Sequence, residues 1–395
     1  MTKSKFIYLD HAASTPVAPE VLEAMRPYFS EWYGNPSGLH RQGRATHRAI
    51  AEARRQIADL FHCKPKELIF TSGGSESDNM AIRGVAWAQK LAGKGAHIIT
   101  SPIEHSAVSK TINQLCDHFG FEQTRVPVDR YGMVNPADVE AAIRPDTILI
   151  SIMAANNEVG TLQPIAEIGR IARAHGIPFH SDSVQAVGTL ELDTRTLPVD
   201  LLAFSAHKFY GPKGVGLLYM RQGTPFLPPT TGGGHEEGRR PGTENVPYIV
   251  GMATAFRLAS EHRAETIARL TRLRDRLIEG VLRDVPGAHL TGHPTQRLPH
   301  NASFVFEDCD ATALLMHLDM RGIGAASGSA CATGMPEPSK VLRAMGIEHN
   351  LALGALRLTL GKSTTDDDIT FVLQVLPDVV SAVRQLQRET TAVGK

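Results

Sequence analysis

The chain has 395 residues, 42% of them hydrophobic, and its 41 basic and 41 acidic residues give a formal net charge of zero. A chain of this length can bury a substantial core in about two domains. The balanced charge argues against nucleic acid or an anionic membrane as the main partner. Four cysteines without C-x-x-C spacing support neither a disulfide framework nor a zinc site, so we expect a reducing, cytoplasmic setting. The sequence shows no signal-peptide pattern and no apolar run that we interpret as a membrane span.

Short β-rich runs alternate with helical patterns between residues 67 and 219. In chain order, strands are predicted at Glu67–Thr71, His97–Thr100, Thr147–Met153, Pro178–Ser181, Leu201–Phe204 and Val215–Tyr219. Helices are predicted between some of them, at Ala81–Leu91 and Ile165–Ala174. This alternation is typical of an α/β domain with a mostly parallel sheet, in which ligands bind at the carboxyl ends of the strands.

A long charged helix is predicted from Phe256 to Leu282, and it would lead into a second, smaller domain. That domain has predicted strands near Ala302–Phe306 and Ala355–Leu360. A C-terminal helix follows the acidic run that starts at Asp366. We therefore predict a large domain and a small domain with these ranges: 15–260 for the large one, and 1–14 together with 261–395 for the small one.

The segment Leu201-Leu-Ala-Phe-Ser-Ala-His-Lys208 is an apolar run that ends in polar side chains, and the glycine-rich turn Gly211–Gly216 follows it. It predicts a strand that brings an amine to the edge of a binding site, with Ser205 and His207 placed to hold a phosphate. A buried lysine amine loses its proton and attacks carbonyl groups, which is the Schiff-base chemistry of pyridoxal phosphate. Taken alone, the pattern fits a surface lysine after a strand equally well.

Polar residues also follow other predicted strands. The run Thr71-Ser-Gly-Gly-Ser75 opens a helix, where bare glycines and backbone amides could bind phosphate or a serine could simply cap the helix. Asp182 could keep a pyridine nitrogen protonated, or it could cap the next helix. His105 could stack on an aromatic cofactor and move protons, although most of the 17 histidines must serve elsewhere. The amide of Asn157 could orient a ring oxygen or a substrate.

Two residues towards the C-terminus carry further chemistry. Cys331 lies among small residues in the segment 326–334, which buries little and favours a reactive, accessible thiol. The other cysteines lie in or beside apolar segments, where core thiols are expected: Cys63, Cys116 and Cys309. Arg357 interrupts an apolar strand, and a guanidinium there commonly pairs with a carboxylate, either internal or on a substrate.

Together these segments resemble the cysteine desulfurases of the nitrogenase and iron–sulfur-cluster type, in the class V branch of the fold-type-I pyridoxal-phosphate enzymes. The resemblance runs almost from end to end and is carried by these motifs: Tyr8-Leu-Asp-His-Ala-Ala, Gly34-Asn-Pro-Ser, Thr71-Ser-Gly-Gly-Ser-Glu-Ser-Asp-Asn, Ala155-Asn-Asn-Glu-Val-Gly, Ala206-His-Lys-Phe-Tyr-Gly-Pro-Lys-Gly, Gly232-Gly-Gly-His-Glu-Glu-Gly-Arg-Arg-Pro-Gly-Thr-Glu-Asn and Ser327-Gly-Ser-Ala-Cys-Ala-Thr-Gly. It implies an α/β, fold-type-I transferase with a mostly parallel mixed sheet flanked by helices, plus a smaller α+β domain.

The resemblance also implies roles for individual residues around pyridoxal 5'-phosphate. Lys208 would form the Schiff base, Asp182 would pair with the pyridine nitrogen, and His105 would stack on the ring and shuttle protons. Gln185 would contact the ring hydroxyl. Further cofactor contacts would come from Gly74, Ser75, Asn157, Ser205, Ala206, His207 and, across a homodimer, Thr243. Asn157 and Arg357 would hold L-cysteine, and Cys331 would take its sulfur as a persulfide and release L-alanine.

Sulfur would then pass to an iron–sulfur scaffold protein or another acceptor. No resident metal is implied, although Cys331 could transiently ligate a cluster through its persulfide. A selenocysteine lyase or a class V aminotransferase is the nearest alternative, and the latter has no need for Cys331. An inactive scaffold subunit is an alternative of another class, against which the intact Lys208, His105 and Cys331 argue. The run Gly242-Thr-Glu-Asn slightly favours the nitrogen-fixation branch of the family. A housekeeping role in iron–sulfur cluster assembly is the alternative that stays open.

Overall fold

A computed structural model describes residues 6–328 and 337–393, with side chains through residue 389. Its strands are β1 (Ile7–Tyr8), β2 (Leu68–Thr71), β3 (His97–Thr100), β4 (Glu122–Arg125), β5 (Thr147–Ser151), β6 (Phe179–Asp182), β7 (Leu201–Ser205), β8 (Gly216–Met220), β9 (Ala288–Leu290), β10 (Asn301–Phe306), β11 (Ile323–Gly324) and β12 (Ala355–Thr359). Its α-helices are α1 (Pro19–Met25), α2 (Pro27–Ser30), α3 (Arg41–Phe61), α4 (Gly74–Leu91), α5 (Ser106–Phe119), α6 (Pro136–Ala141), α7 (Ile165–Ala174), α8 (Val246–Glu261), α9 (Arg263–Asp284), α10 (Ala311–Met320), α11 (Lys340–Ala344), α12 (His349–Ala352) and α13 (Asp366–Val393). Short 3-10 helices lie at Pro65–Glu67, Ala206–Lys208 and His235–Gly238.

A seven-stranded sheet with the order β2-β8-β7-β6-β5-β3-β4 forms the centre of the molecule. The strands from β7 to β4 run parallel to one another, whereas β8 pairs antiparallel with both β7 and β2. All of these strands except β4 are buried along their full length, as expected when helices cover both faces of a sheet. The mostly parallel mixed sheet predicted from the sequence is thus confirmed.

The strands predicted between residues 67 and 219 are all present, with end points that agree or differ by at most two residues. The structure adds β4, an edge strand whose residues are exposed or half-buried. Because Glu122–Arg125 has no apolar residue, its sequence carries no strand pattern to recognise.

The single helix predicted from Phe256 to Leu282 is wrong as one element. Helix α8 ends at Glu261 and α9 begins at Arg263, because His262 leaves the helical region with φ −101° and ψ 13°. Helix α8 packs on α1 and α3, whereas α9 packs on α13 and β9. Neither glycine nor proline marks the break in the sequence, so the charge and apolar patterns continue across it.

A second core surrounds the antiparallel sheet β12-β10-β9 and the parallel pair of β1 and β11. Helices α9, α10 and α13 contribute apolar side chains to this core, which is distinct from the clusters around the large sheet. The strands predicted near residues 302 and 355 and the C-terminal helix belong to it. The division of the chain into domains at about residue 260 stays a prediction.

Within the described residues, one stretch of α13, Asp366–Glu389, is long and apolar enough to cross a membrane by length and composition alone. No such run was expected from the sequence. The core helix of a soluble protein passes the same test, and the apolar side chains of this helix pack in the second core, among them Val372, Leu376 and Val380. The finding is therefore weak evidence for a membrane span.

Candidate active site

A cavity of about 700 Å³ lies at the carboxyl ends of the parallel strands of the large sheet. Segments that follow β2, β3, β5, β6 and β7 line it, together with residues 12–14 and one side chain of β12. Its lining includes these residues predicted from the sequence: Gly74, Ser75, His105, Asn157, Asp182, Gln185, Ser205, His207, Lys208 and Arg357. The fold therefore brings together predicted site residues that are up to 283 positions apart along the chain, from 74 to 357.

Three predicted site residues are not placed on the cavity wall. Ala206 is fully buried, and its Cβ lies against Gly211. Thr243 is exposed and lies outside the lining of the cavity within this single chain. Cys331 lies outside the described residues.

The structure also places residues in the lining that the sequence analysis did not single out. They include Ala12, Ala13, Ser14, Glu76, Asp78, Met153, Val184 and Lys213. Glu76 and Asp78 belong to the glycine-rich motif that starts at Thr71, and Ala12 and Ala13 belong to the motif that starts at Tyr8. Lys213 likewise belongs to the motif that starts at Ala206. Motif membership was the available signal for these five residues, but nothing in the sequence indicated which way their side chains point.

Lys208 ends the short 3-10 helix that follows β7, which directs its amine into the cavity. Its Nζ donates to the carbonyl oxygens of Ala12 at 2.7 Å and Ala13 at 2.8 Å. Burial, reinforced by repulsion from Arg357, lowers the pKa of Lys208 to about 8. The amine therefore gives up its proton close to neutral pH, which makes it a nucleophile towards carbonyl groups.

Asp182 is the last residue of β6, and 6% of it is exposed. Its Oδ1 accepts the backbone N–H of Val184 at 3.0 Å, which closes a local turn and does not cap an α-helix. Burial raises the pKa of Asp182, whereas His105 and Lys208 lower it. A buried carboxylate with few donors is stabilised by a cationic partner, and a protonated pyridine nitrogen would be one.

Helix α4 starts at Gly74, and no described side chain caps it at Gly73. The alternative that Ser75 caps this helix is therefore wrong. Uncapped N–H groups and the positive end of an 18-residue helix favour an anion at this position. A Cβ placed on Gly73 would lie 3.9 Å from Ser205 Oγ, so the serine hydroxyl approaches this helix start.

His207 lies beside the same part of the cavity. Its Nδ1 is 3.3 Å from Ser14 Oγ. Burial, followed by repulsion from Lys208 and Lys213, lowers the pKa of His207 to about 4. The imidazole is therefore neutral at physiological pH and can act as a hydrogen-bond donor to a phosphate oxygen without adding charge.

His105 caps the N-terminus of α5, where its Nδ1 accepts the backbone N–H of Ala107 at 3.1 Å. This hydrogen bond holds the ring in place and assigns the proton of the neutral imidazole to Nε2. The ring lines the cavity next to Asp182. His105 is thus oriented to exchange a proton at Nε2 with a ligand.

Arg357 belongs to β12, and its side chain lines the cavity. Its Nη1 donates to the carbonyl oxygen of Asn157 at 2.9 Å, and its Nη2 donates to Asp10 at 2.7 Å. The predicted carboxylate partner of Arg357 therefore exists inside the protein. Gln185 is held in a similar way, because its Nε2 donates to the carbonyl oxygen of Ala12 at 2.9 Å.

These groups fit a phosphorylated pyridine aldehyde. The amine of Lys208 would face the aldehyde, the carboxylate of Asp182 would face the ring nitrogen, and the start of α4 would face the phosphate. Space at the helix start is tight, since a Cβ on Gly74 would lie 2.6 Å from Val184 Cγ2. Glycine at this position leaves room for a ligand oxygen near the backbone.

The sequence model of the family aminotransferase class V matches residues 7–372. The chain belongs to the class-V aminotransferase family. The matched range contains the whole seven-stranded sheet and Lys208, the lysine that follows β7.

Individual members of this family are similar to the chain. A protein of Methanosarcina thermophila named cysteine desulfurase IscS is 50% identical over 385 residues, which cover 98% of this chain and 94% of the relative. A NifS-like protein of known structure superposes with a TM-score of 0.89 at 37% identity and covers 95% of this chain and 100% of its own. The structure of SspA in complex with cysteine gives a TM-score of 0.79 at 38% identity and covers 90% and 98%.

Proposed function

We propose that the protein is a pyridoxal-phosphate-dependent cysteine desulfurase. It would convert L-cysteine into L-alanine and leave the sulfur as a persulfide on Cys331. The observation that carries this proposal is one cavity that holds the amine of Lys208, the buried carboxylate of Asp182 and the guanidinium of Arg357. The similarity to cysteine desulfurases over nearly the whole chain supports it.

The cofactor would be held at both ends. Gly74, Ser75, Ser205 and His207 would bind its phosphate. Bound in this way, pyridoxal 5'-phosphate would supply an electron sink for negative charge on the substrate. The further contacts would come from the amine of Lys208, the carboxylate of Asp182 at the ring nitrogen, and Asn157 and Gln185 at the ring substituents.

The protein's own groups would orient L-cysteine and move its protons. Arg357 would bind the substrate carboxylate, because its planar guanidinium matches a carboxylate with parallel hydrogen bonds. Asn157 positions Arg357 through its backbone carbonyl. His105 would exchange protons at Nε2, and the Lys208 amine, with its pKa of about 8, would accept and return a proton near neutral pH.

The sulfur transfer balances without an external oxidant. The Cβ–S bond of L-cysteine breaks, and an S–S bond forms to Sγ of Cys331. The substrate carbon takes up the electron pair and a proton as the sulfur is oxidised, so the products are L-alanine and a persulfide. Cys331 is the proposed acceptor because its sequence context favours a reactive thiol. Burial raises the pKa values of Cys63 to about 12 and of Cys309 to about 11, which makes both poor nucleophiles.

We also propose the setting in which the enzyme works. It would act as a homodimer, with Thr243 completing the phosphate site of the neighbouring subunit, since Thr243 does not line the cavity of its own chain. The persulfide would be passed to an iron–sulfur scaffold protein or a related acceptor. A cytoplasmic location suits a reactive thiol and the absence of disulfides among Cys63, Cys116 and Cys309.

The test is to incubate the purified holoenzyme with L-cysteine and a reductant, and to measure sulfide and L-alanine together. We expect equal amounts of both from the parent. Cys331→Ser should abolish sulfide, whereas Cys116→Ser, at a half-buried cysteine, should change nothing. Lys208→Ala should lose the visible absorbance of the covalently attached cofactor.

A yellow holoenzyme that makes no sulfide from L-cysteine contradicts the proposal. The same preparation would then be tried with L-selenocysteine, whose cleavage would identify a selenocysteine lyase. Amino-donor substrates would test an aminotransferase. Light scattering gives the mass of the assembly, and a monomer would contradict the homodimer.

A further inference from the structure

Behind Asp182 lies a fully buried pair of titratable side chains that the proposed reaction does not use. Asp78 belongs to α4 and His180 to β6, and their exposed side-chain fractions are 1% and 0%. Asp78 Oδ1 is 3.4 Å from His180 Nε2. Neither atom has a hydrogen-bond partner among the described residues.

This pair adjoins the cofactor cavity. His180 and Asp182 are two positions apart in one strand, so they lie on the same face of the sheet. Asp78 lines the cavity. Its carboxylate oxygen lies within 4.8 Å of a carboxylate oxygen of Asp182 and of a ring nitrogen of His105. The far nitrogen of His180, Nδ1, is 2.9 Å from Ser151 Oγ. A continuous line of polar side chains therefore runs from Ser151 to Asp182.

Two buried carboxyl groups this close do not both ionise at low cost. Asp182 accepts the backbone N–H of Val184, and the nearby side chains of His105 and Lys208 lower its pKa. Asp78 Oδ1 has no donor of this kind, since it has no hydrogen-bond partner among the described residues. The geometry thus assigns the negative charge to Asp182 and the proton to Asp78.

The pKa shifts of Asp78 and His180 agree with this assignment. Burial, followed by the charges of Asp182 and Glu104, raises the pKa of Asp78 well above its usual value. Burial lowers the pKa of His180 to about 3. His180 is therefore neutral, and the pair is not a buried salt bridge.

We propose that Asp78 is a positioning residue, a neutral carboxylic acid that His180 supports and that leaves Asp182 as the single negative charge at the ring nitrogen of the cofactor. Asp78 lies beside both His180 and Asp182. Its role requires the shape of the side chain and does not require charge. The inference rests on the cofactor binding of the proposed function and not on sulfur transfer.

The test compares Asp78→Asn, which keeps the shape without an ionisable group, with Asp78→Ala, which leaves a cavity. Pyridoxal 5'-phosphate is titrated into each apoprotein and binding is followed by absorbance. We expect the dissociation constant of Asp78→Asn to stay within about twofold of the parent, and that of Asp78→Ala to rise about tenfold, as for roughly 1.4 kcal/mol. The matched reference is Asp182→Asn, which removes the charge itself and should weaken binding more than either.

A second readout addresses the proton directly and works even where Asp78→Ala fails to fold. The infrared difference spectrum of parent holoenzyme minus Asp78→Asn should contain the C=O band of a protonated carboxyl at neutral pH. Loss of cofactor affinity in Asp78→Asn equal to that in Asp182→Asn overturns the proposal, as does a missing carboxyl band or an unchanged affinity in Asp78→Ala. Sulfide production does not enter these readouts, so a failed desulfurase assay leaves them interpretable.

Discussion

Arg357 and Asp10 form an ion pair at the wall of the cavity, with Nη2 and Oδ1 2.7 Å apart, although the residues are 347 positions apart in the chain. Their side chains are 7% and 21% exposed. The carbonyl of Asn157 holds the other terminal nitrogen. The guanidinium is thereby fixed in one orientation before a substrate arrives, which reduces the entropy lost when a carboxylate binds.

Arg357→Lys keeps the charge of this group but loses its planar fork. We expect KM for L-cysteine to rise roughly 10- to 100-fold, since a hydrogen bond to a charged group contributes about 1.5–3 kcal/mol. The visible absorbance of the bound cofactor should stay unchanged. Steady-state sulfide production checks this, with Arg283→Lys, whose side chain is 71% exposed, as the control. An unchanged KM would argue that Arg357 serves the fold and not the substrate.

Gly74→Ala should weaken cofactor binding because the added methyl group would collide with the side chain of Val184. Its Cβ would lie 2.6 Å from Val184 Cγ2 and 3.4 Å from Ser205 Cβ, and overpacking of this kind costs about 1–3 kcal/mol. Val184→Ala provides the missing space, so the double variant should regain most of the affinity. The measurement is a double-mutant cycle on the dissociation constant of pyridoxal 5'-phosphate, with a coupling of at least about 0.5 kcal/mol. Strictly additive effects would show that Val184 is not the obstacle.

Ser339→Ala should destabilise the fold more than the loss of an ordinary helix cap. Ser339 Oγ accepts the backbone N–H groups of Val341 and Leu342 at the start of α11, and it donates to the half-buried Glu158 at 2.5 Å. Removing the cap and the donor together should lower the free energy of unfolding by about 2–3 kcal/mol. Denaturant unfolding measures it.

The matched control is Asn135→Ala, which removes a side chain that accepts only one capping bond, from Ala137. Its expected loss is about 1 kcal/mol. Equal losses in the two variants would mean that the contact between Ser339 and Glu158 contributes nothing to stability.

Glu104 should make stability fall as pH rises through neutrality. Burial raises its pKa from 4.5 to about 8, and its Oε2 has no hydrogen-bond partner within the described part of the chain. Between these two values the folded state holds a proton that the unfolded state has lost, so the contribution of this group to stability decreases with pH. The change is about 1.4 kcal/mol per pH unit.

Glu104→Gln removes this titration. Denaturant unfolding at about pH 5 and pH 7 should show the parent losing stability relative to Glu104→Gln by about 2–3 kcal/mol over that interval. The exposed Glu265 provides the control, since Glu265→Gln should parallel the parent at both pH values. Parallel curves for Glu104→Gln as well would mean that the buried carboxyl ionises normally in the folded protein.

Much of the fold could be predicted because buried strands have a local signature. A sheet covered on both faces requires continuous apolar runs, and those at Leu201–Ser205 and Thr147–Ser151 are fully buried. The edge strand β4 was missed for the same reason, since its exposed polar residues need no such run. The break at His262 was missed because it depends on the different packing partners of α8 and α9.

The site could be predicted residue by residue but not as an arrangement. Parallel strands end at a common edge, so polar residues that follow them, such as Asp182 and Lys208, were expected to meet. That expectation needs only strand order and direction. The pairing of Arg357 with Asp10 depends on where β12 and the N-terminal segment lie relative to each other in the fold. No local sequence pattern predicts that arrangement.

The sequence by itself determined the α/β class, the strands of the sheet and the chemistry available at their ends, because alternation, burial and motif spacing are local properties. Only the tertiary structure decided which groups share a low-dielectric space. Asp78 looks like one of two acidic residues in a motif until α4 places it beside His180, where burial and the neighbouring Asp182 change its expected charge. Ionisation depends on neighbours in space, and those are set by how the elements pack.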